Sequence, residues 1–390
     1  MIYKCPNCQG ALTYDPIKKG MHCKYCDNIY SMDELESEKE QDQPSHNSID
    51  VYVYSCTSCG AELMVNHNEA STFCAYCGQP TVVFSRVSSE LQPDYCIPFS
   101  ITGEQAVELI RKKLRKGLFV PAEIKSVKID KLRGIYIPFW LHDIKIRAKA
   151  NINGTKGSGE HKHTVHFYRD AEATYTKITC DGSSKLNDEL SQRLEPYNMG
   201  EIRKFEPEFL SGFYADRFDV TEKDTRNTAL ERAIEFLDED IMDSVGSCNS
   251  KEFEDKNVRY EFLQHSYALF PAWFMTFWYQ NELYTILVNG QTGKVIGNVP
   301  MSTKKLVRFV SLLAPSLIVA MSVLSNLYIK IAFGILDTDD AMKISFAIIA
   351  VIVSFMLYGV KSWKKYQNER KYFTESNTVS YVKERQDNEW

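Results

Sequence analysis

Cys5, Cys8, Cys23 and Cys26 recur as Cys56, Cys59, Cys74 and Cys77, so a CxxC, fourteen-residue, CxxC pattern appears twice at a constant offset of 51. A tetrahedral zinc site takes four thiolates about 2.3 Å from the metal, and two CxxC turns can close one from opposite sides. Each set is therefore expected to hold one structural Zn2+, two ions in all, with four protein ligands and no open position for substrate. Gly10, Asn28, Gly60 and Gly78 follow the four CxxC turns, where the chain must fold back beneath the sulfurs. Disulfides would use the same cysteines, but the segment after Met1 enters the first set without a secretory signal, which favours reduced thiols. A stretch of about 30 residues buries too little apolar surface to fold unaided, so metal is expected to supply much of each unit's stability.

The other end of the chain has a different character. Residues 309–329 and 344–360 contain no charged residue, lengths that fit membrane helices. Lys304, Lys305 and Arg308 precede them and Lys361, Lys364 and Lys365 follow, whereas the segment between carries Asp337, Asp339 and Asp340. Positive flanks predict a two-helix transmembrane hairpin in the cell membrane, with both termini cytoplasmic.

The expected fold class is α+β: two N-terminal zinc ribbons, a central α+β domain with antiparallel strands, and the C-terminal transmembrane hairpin. The divisions fall at 1–30 (first ribbon), 31–50 (acidic linker), 51–84 (second ribbon), 85–300 (central domain), 301–362 (hairpin) and 363–390 (cytoplasmic tail). In the central domain Thr102 and Gln105 form a capping box before the stripe Ala106, Val107, Ile110 and Leu114, and Gly117 ends that helix. Alternating Ile144, Ile146, Ala148 and Ala150 read as a strand, and 221–245 reads as a helix with Leu230, Ile234, Leu237 and Ile241 inward. The segments GIYIPFW (134–140) and ALFPAWF (268–274) suggest a duplicated strand unit, and 289–293 a tight turn.

Candidate chemistry in this domain is thin. His161 and His163 share one strand face and His166 the other, which suits an exposed polar strand better than a metal site. Cys96, Cys180 and Cys248 have no paired spacing and read as structural thiols. The VNGQTGKV turn lacks the spacing and hydroxyl of a phosphate loop, and the aromatics from Phe270 to Tyr279 read as core. No catalytic dyad or triad emerges, so the chain is not expected to be an enzyme. Residues 51–84 contain no Lys or Arg, Lys4, Lys18, Lys19 and Lys24 make the first unit only mildly basic, and the run Arg111 to Lys116 lies on an amphipathic helix. Nucleic-acid binding, the alternative reading, therefore lacks a continuous phosphate-binding surface.

The paired CxxC knuckles, GIYIPFW, LFPAWF, VNGQTGKV followed by Pro300, and the apolar C-terminal segments together resemble a family of membrane-anchored double zinc-ribbon proteins of Gram-positive bacteria. Its members are often labelled primosomal-helicase-like or TFIIB-type zinc ribbon. The resemblance implies a link to SPFH-domain proteins and phage-shock envelope-stress systems, with SPFH-domain or PspA-like partners; the charge-free runs give the lipid bilayer as a further partner, and Ser325 and Asn326 a polar contact for oligomers formed through the hairpin. The resemblance carries over the eight cysteines alone, and no helicase phosphate loop is present. The function these readings imply is a membrane-anchored adaptor that recruits cytoplasmic proteins, with Tyr25, Leu63 and Tyr76 either meeting the partner or packing their own ribbon.

Overall fold

The computed structural model describes residues 4–31, 34–35, 48–57, 61–65, 74, 82–116, 119–125, 132–184, 188–280, 282–297 and 299–302. Beyond these it describes 304–309, 311, 322–323, 325–326, 328–329, 343, 350, 353–354, 356–364 and 367. Strands β1 (Leu12–Asp15), β2 (Gly20–Cys23) and β3 (Ile29–Tyr30) make a three-stranded antiparallel sheet around the first cysteine set. A second sheet of eleven strands takes in β4 (Ser48–Cys56), β5 (Glu62–Val65), β6 (Val82–Leu91), β7 (Tyr95–Cys96), β8 (Leu132–Lys156) and β9 (His163–Asp181). It is completed by β10 (Arg203–Lys204), β11 (Tyr214–Asp216), β12 (Ser250–Tyr279), β13 (Glu282–Asn289) and β14 (Val295–Gly297). Helices α1 (Gly103–Lys116), α2 (Ala122–Lys125), α3 (Asp188–Leu194) and α4 (Glu222–Ser244) lie among them.

This architecture corrects the expected α+β class: among the described residues large β-sheets dominate and helices are few. The reason lies in strand length. β8, β9 and β12 run for 25, 19 and 30 residues, so segments that alternate weakly and read as separate short strands are continuous. At about 3.3 Å per residue β8 alone spans roughly 80 Å. GIYIPFW and ALFPAWF are cross-strand partners at the centre of this ladder, with Ile137 opposite Phe270 and Gly134 opposite Trp273. His161 falls in the turn before β9 rather than on a strand with His163.

The two-helix transmembrane hairpin is also corrected. Among the described residues no helix is long and apolar enough to cross a membrane, so neither the hairpin nor the cell-membrane localisation with cytoplasmic termini stands. Most positions of the expected spans 309–329 and 344–360, and of the tail 363–390, lie outside the described residues. A charge-free run reports hydrophobicity, whereas a span requires one continuous helix of about 20 residues. Phe309, which opens the first run, packs edge-on against Phe119 at 5.5 Å, and Lys305 Nζ donates to the Val120 carbonyl at 2.6 Å. Of the acidic linker, Glu34 and Leu35 are helical, and Leu35 is buried.

Local signals explain the helices. Thr102 N donates to Gln105 Oε1 at 2.9 Å and Gln105 N to Thr102 Oγ1 at 3.2 Å, closing the capping box of α1. Ala106, Ile110 and Leu114 then pack on Met275, Ile286 and Val288. The buried stripe of α4 is Thr225, Ala229, Ala233, Leu237 and Ile241, rotated from the expected one so that Leu230 and Ile234 are only half-buried. Alanines four apart let this helix approach the branched side chains Ile144, Ile146 and Ile152 of β8 closely.

Candidate metal centre

The first cysteine set sits on two knuckles of one design. The Cys5 amide donates to the Gly10 carbonyl at 2.7 Å and the Cys23 amide to the Asn28 carbonyl at 2.9 Å, folding each turn beneath its own sulfurs. The left-handed residues are Gln9 and Asp27, with φ of 62° and 60°, one position before the expected Gly10 and Asn28. Gly10 answers a different need: a Cβ there would stand 2.6 Å from the Tyr25 ring.

The knuckles bring Cys5, Cys8, Cys23 and Cys26 together with all four sulfurs within 4.8 Å of one another. Cys5 and Cys26 are 3.4 Å apart, as are Cys8 and Cys23. A dication about 2.3 Å from each thiolate of a tetrahedron sets sulfur–sulfur edges of roughly 3.8 Å, so the cluster can hold one metal ion. Its electrostatics point the same way. Burial pushes the Cys5 thiol up, yet hydrogen bonds from the Tyr30 hydroxyl and neighbouring groups bring it to about 6. At Cys8 the Gly10 backbone bond pulls down, but the Cys23 thiol and burial drive it up to about 12. Four clustered thiolates repel, and a cation at their centre removes that conflict. Tyr30, 3.3 Å from Cys5 Sγ, and the 2.5 Å His22–Asp27 pair complete the surroundings. Sequence spacing did not mark either, because both contacts depend on how β2 and β3 pair.

The second set is described in part. Cys56 and Cys74 are buried, and Cys59 and Cys77 lie outside the described residues. Where the chain is described, the offset of 51 persists: the Cys56 amide donates to the Ala61 carbonyl at 2.9 Å, matching Cys5 and Gly10. The Lys4–Ala11 bridge likewise recurs as the Ser55–Glu62 pair.

Neither set stands apart from the body. Tyr14 packs edge-on against Phe209 at 5.5 Å while its amide donates to the Ser211 carbonyl, seating the first sheet on the 205–213 segment. β5 pairs antiparallel with β11, which pairs parallel with β8, so the strand after Cys56 is sewn into the large sheet. Arg217 fixes that seam by reaching Glu62 on β5 at 3.2 Å and Glu90 on β6 at 3.0 Å. Of the expected contact residues, Tyr25 is 82% exposed, Tyr76 lies outside the described residues, and Leu63 is fully buried in the core. Leu63 thus takes the packing role, in the core cluster that includes Ile135, Phe139 and Phe270. Cys96 and Cys180 are buried, and burial pushes the Cys96 thiol well up, away from nucleophile chemistry.

Comparison with known proteins adds one relative. The protein named "Uncharacterized protein YdjG" of Bacillus subtilis (strain 168) is 31% identical over 335 residues, which cover 83% of this chain and 97% of YdjG. No protein-family model matches the chain, and no solved structure matches it.

Proposed function

Starting from the fact that this chain belongs to the family of Bacillus subtilis YdjG, we propose that it is a zinc-fixed adaptor whose ribbon surfaces recruit protein partners. The observation that carries the reading is the four-thiol cluster seated on the central sheet, a rigid mount with exposed side chains above it. Soft thiolates in tetrahedral arrangement select Zn2+ over harder cations, and four of them leave no coordination site for a reacting group. Cys5, Cys8, Cys23 and Cys26 take one ion. Cys56, Cys59, Cys74 and Cys77 take a second, on the strength of the recurring spacing and of the matched knuckle bond at Cys56. Zinc here supplies structure: it holds both knuckles against β1 and β2, so that Tyr25, Ile17 and Ile29 stay displayed at 82, 65 and 45% exposure.

The test is partner capture. Cells expressing the intact chain or a Cys5→Ser, Cys8→Ser variant are crosslinked, and co-purifying material is identified with and without nuclease. Nuclease-resistant protein partners lost from the variant support the adaptor. Recovery that vanishes with nuclease, or partners retained by the variant, overturns it.

A further inference from the structure

The four sulfurs of the first cysteine set are not held alike. Cys5 and Cys23 are buried, Cys26 is half-buried and Cys8 is exposed. Cys8 and Cys23 meet each other at 3.4 Å. Among the described residues one side chain from outside the set bonds to a sulfur: the Tyr30 hydroxyl lies 3.3 Å from Cys5 Sγ.

Several local features aim that hydroxyl. Tyr30 ends β3, where it stands opposite Met21 of β2. Gly20 permits the close approach of the two strands, since a Cβ there would lie 2.9 Å from the Tyr30 carbonyl oxygen. The ring packs on the apolar cluster that contains Cys5, Leu12 and Met21. Asn28 Nδ2 donates to the Tyr30 hydroxyl oxygen at 3.4 Å. With that lone pair occupied, the single O–H proton is left for sulfur, and a metal-bound thiolate has no proton of its own to give. Asn28 thereby serves both knuckles: its carbonyl accepts from the Cys23 amide, and its side chain steers the donor toward Cys5.

We infer that Tyr30 is a positioning residue of the first metal centre, its hydroxyl fixing the Cys5 thiolate and drawing off part of that sulfur's charge so that the zinc ion is held more tightly. This rests on the zinc reading and adds to it a residue outside the cysteine pattern. Four thiolates give a zinc site net negative charge, and a neutral donor on one sulfur relieves it without a counterion. Packing by the ring restrains the donor, so the hydrogen bond is made without ordering a free side chain. At the offset of 51 the sequence has Gln79 and Thr81 in place of Asn28 and Tyr30. A threonine oxygen sits one bond from Cβ, whereas the tyrosine ring carries its oxygen farther out, so the second set serves as an internal reference.

The experiment compares the full-length chain with Tyr30→Phe, which keeps the ring and removes the hydroxyl alone. Zinc affinity is measured by competition with a chromophoric chelator under reducing conditions, and circular dichroism checks the fold. The expected result is that one ion is held about tenfold more weakly by the variant while any other keeps its affinity. In a Cys5→Ser, Cys8→Ser background the same substitution should change nothing, which assigns the effect to the first set. Cobalt-loaded protein gives a readout that ring packing does not move. Without the hydrogen bond the Cys5 thiolate is the better electron donor, so the sulfur-to-cobalt charge-transfer band should shift to longer wavelength. Asn28→Ala leaves ring and hydroxyl in place and should give a smaller change in the same direction. Parental affinity with an unmoved band, or a loss that persists in the Cys5→Ser, Cys8→Ser background, overturns the inference. Either outcome leaves zinc content and partner capture untouched, so the role of Tyr30 falls alone. A chain that takes up no metal ends the zinc reading and the role of Tyr30 together.

Discussion

Arg217 Nε lies 3.0 Å from Glu90 Oε2, and the Glu90 side chain is only 8% exposed. Because Arg217 also reaches Glu62, one guanidinium ties β5 to β6 across the sheet that carries Cys56. Arg217→Ala leaves a desolvated carboxylate with the Ser88 hydroxyl alone and is expected to cost about 2–3 kcal/mol. Thermal melting checks the loss, and hydrogen exchange should localise it to β4–β6. Arg217→Lys, with a compact ammonium, recovers only one of the two contacts.

Metal content gives a second expectation. The intact chain should bind two zinc ions and a Cys5→Ser, Cys8→Ser chain one, by elemental analysis of protein purified under reducing conditions. Loss of the first ion should also loosen the Tyr14–Phe209 contact, because Cys5 and Cys23 belong to the same apolar cluster as Phe209 and Phe213. Limited proteolysis near the 205–213 segment should accelerate on chelation, and an unchanged pattern would show that the sheet holds its seat without metal.

Gly290 offers a steric test of the central core. A Cβ there would stand 2.7 Å from the Phe99 ring and 2.8 Å from Pro271 Cβ, with backbone held by the Gly290 N to Pro271 O bond. Gly290→Ala is expected to destabilise by about 1–3 kcal/mol through overpacking, read in a denaturant midpoint. Gly246, with nothing within 4 Å of its Cβ position, is the control that should change little.

What could be read from sequence followed the range of each interaction. The Thr102–Gln105 box spans three residues, and it was legible. So was the turn at 289–293, where the Asn289 side chain accepts from the amides of Gln291 and Thr292. The first cysteine set, Cys5, Cys8, Cys23 and Cys26, was legible because thiolate spacing is local chemistry. Arg217 and Glu62 are 155 positions apart, and no periodicity announces such a pair. The rotated stripe of α4 was missed because Ala229 and Ala233 carry little hydrophobic signal, although their small size lets the helix sit close to β8. The charge-free C-terminal runs misled for a related reason: composition says that side chains avoid water, and not what covers them.

His142 yields the last prediction, and its sign can be derived. Its ring is fully buried on β8, with Nε2 2.9 Å from Thr225 Oγ1. That hydroxyl donates to the Glu222 carbonyl at 2.8 Å, so it accepts from His142, which fixes the proton on Nε2. Nδ1 is left a buried acceptor without a partner, and Thr225 belongs to the first turn of α4, whose dipole opposes a second positive charge. Burial foremost, with His265 and Arg226 against Glu222 and Asp143, brings its pKa down to about 4. Above about pH 6.5 the ring is neutral both folded and unfolded, so it contributes no pH dependence. As pH falls from about 6.5 through the folded value of about 4, the unfolded chain binds a proton that the folded chain refuses, and stability is lost. About 3 kcal/mol should disappear over that window, on top of whatever the carboxylates contribute. His142→Gln keeps a donor for Thr225 and does not titrate, so subtracting its denaturant curves from those of the parent chain isolates the histidine. A difference that stays flat between pH 7 and pH 4 would mean that the buried ring takes its proton with an acceptor after all.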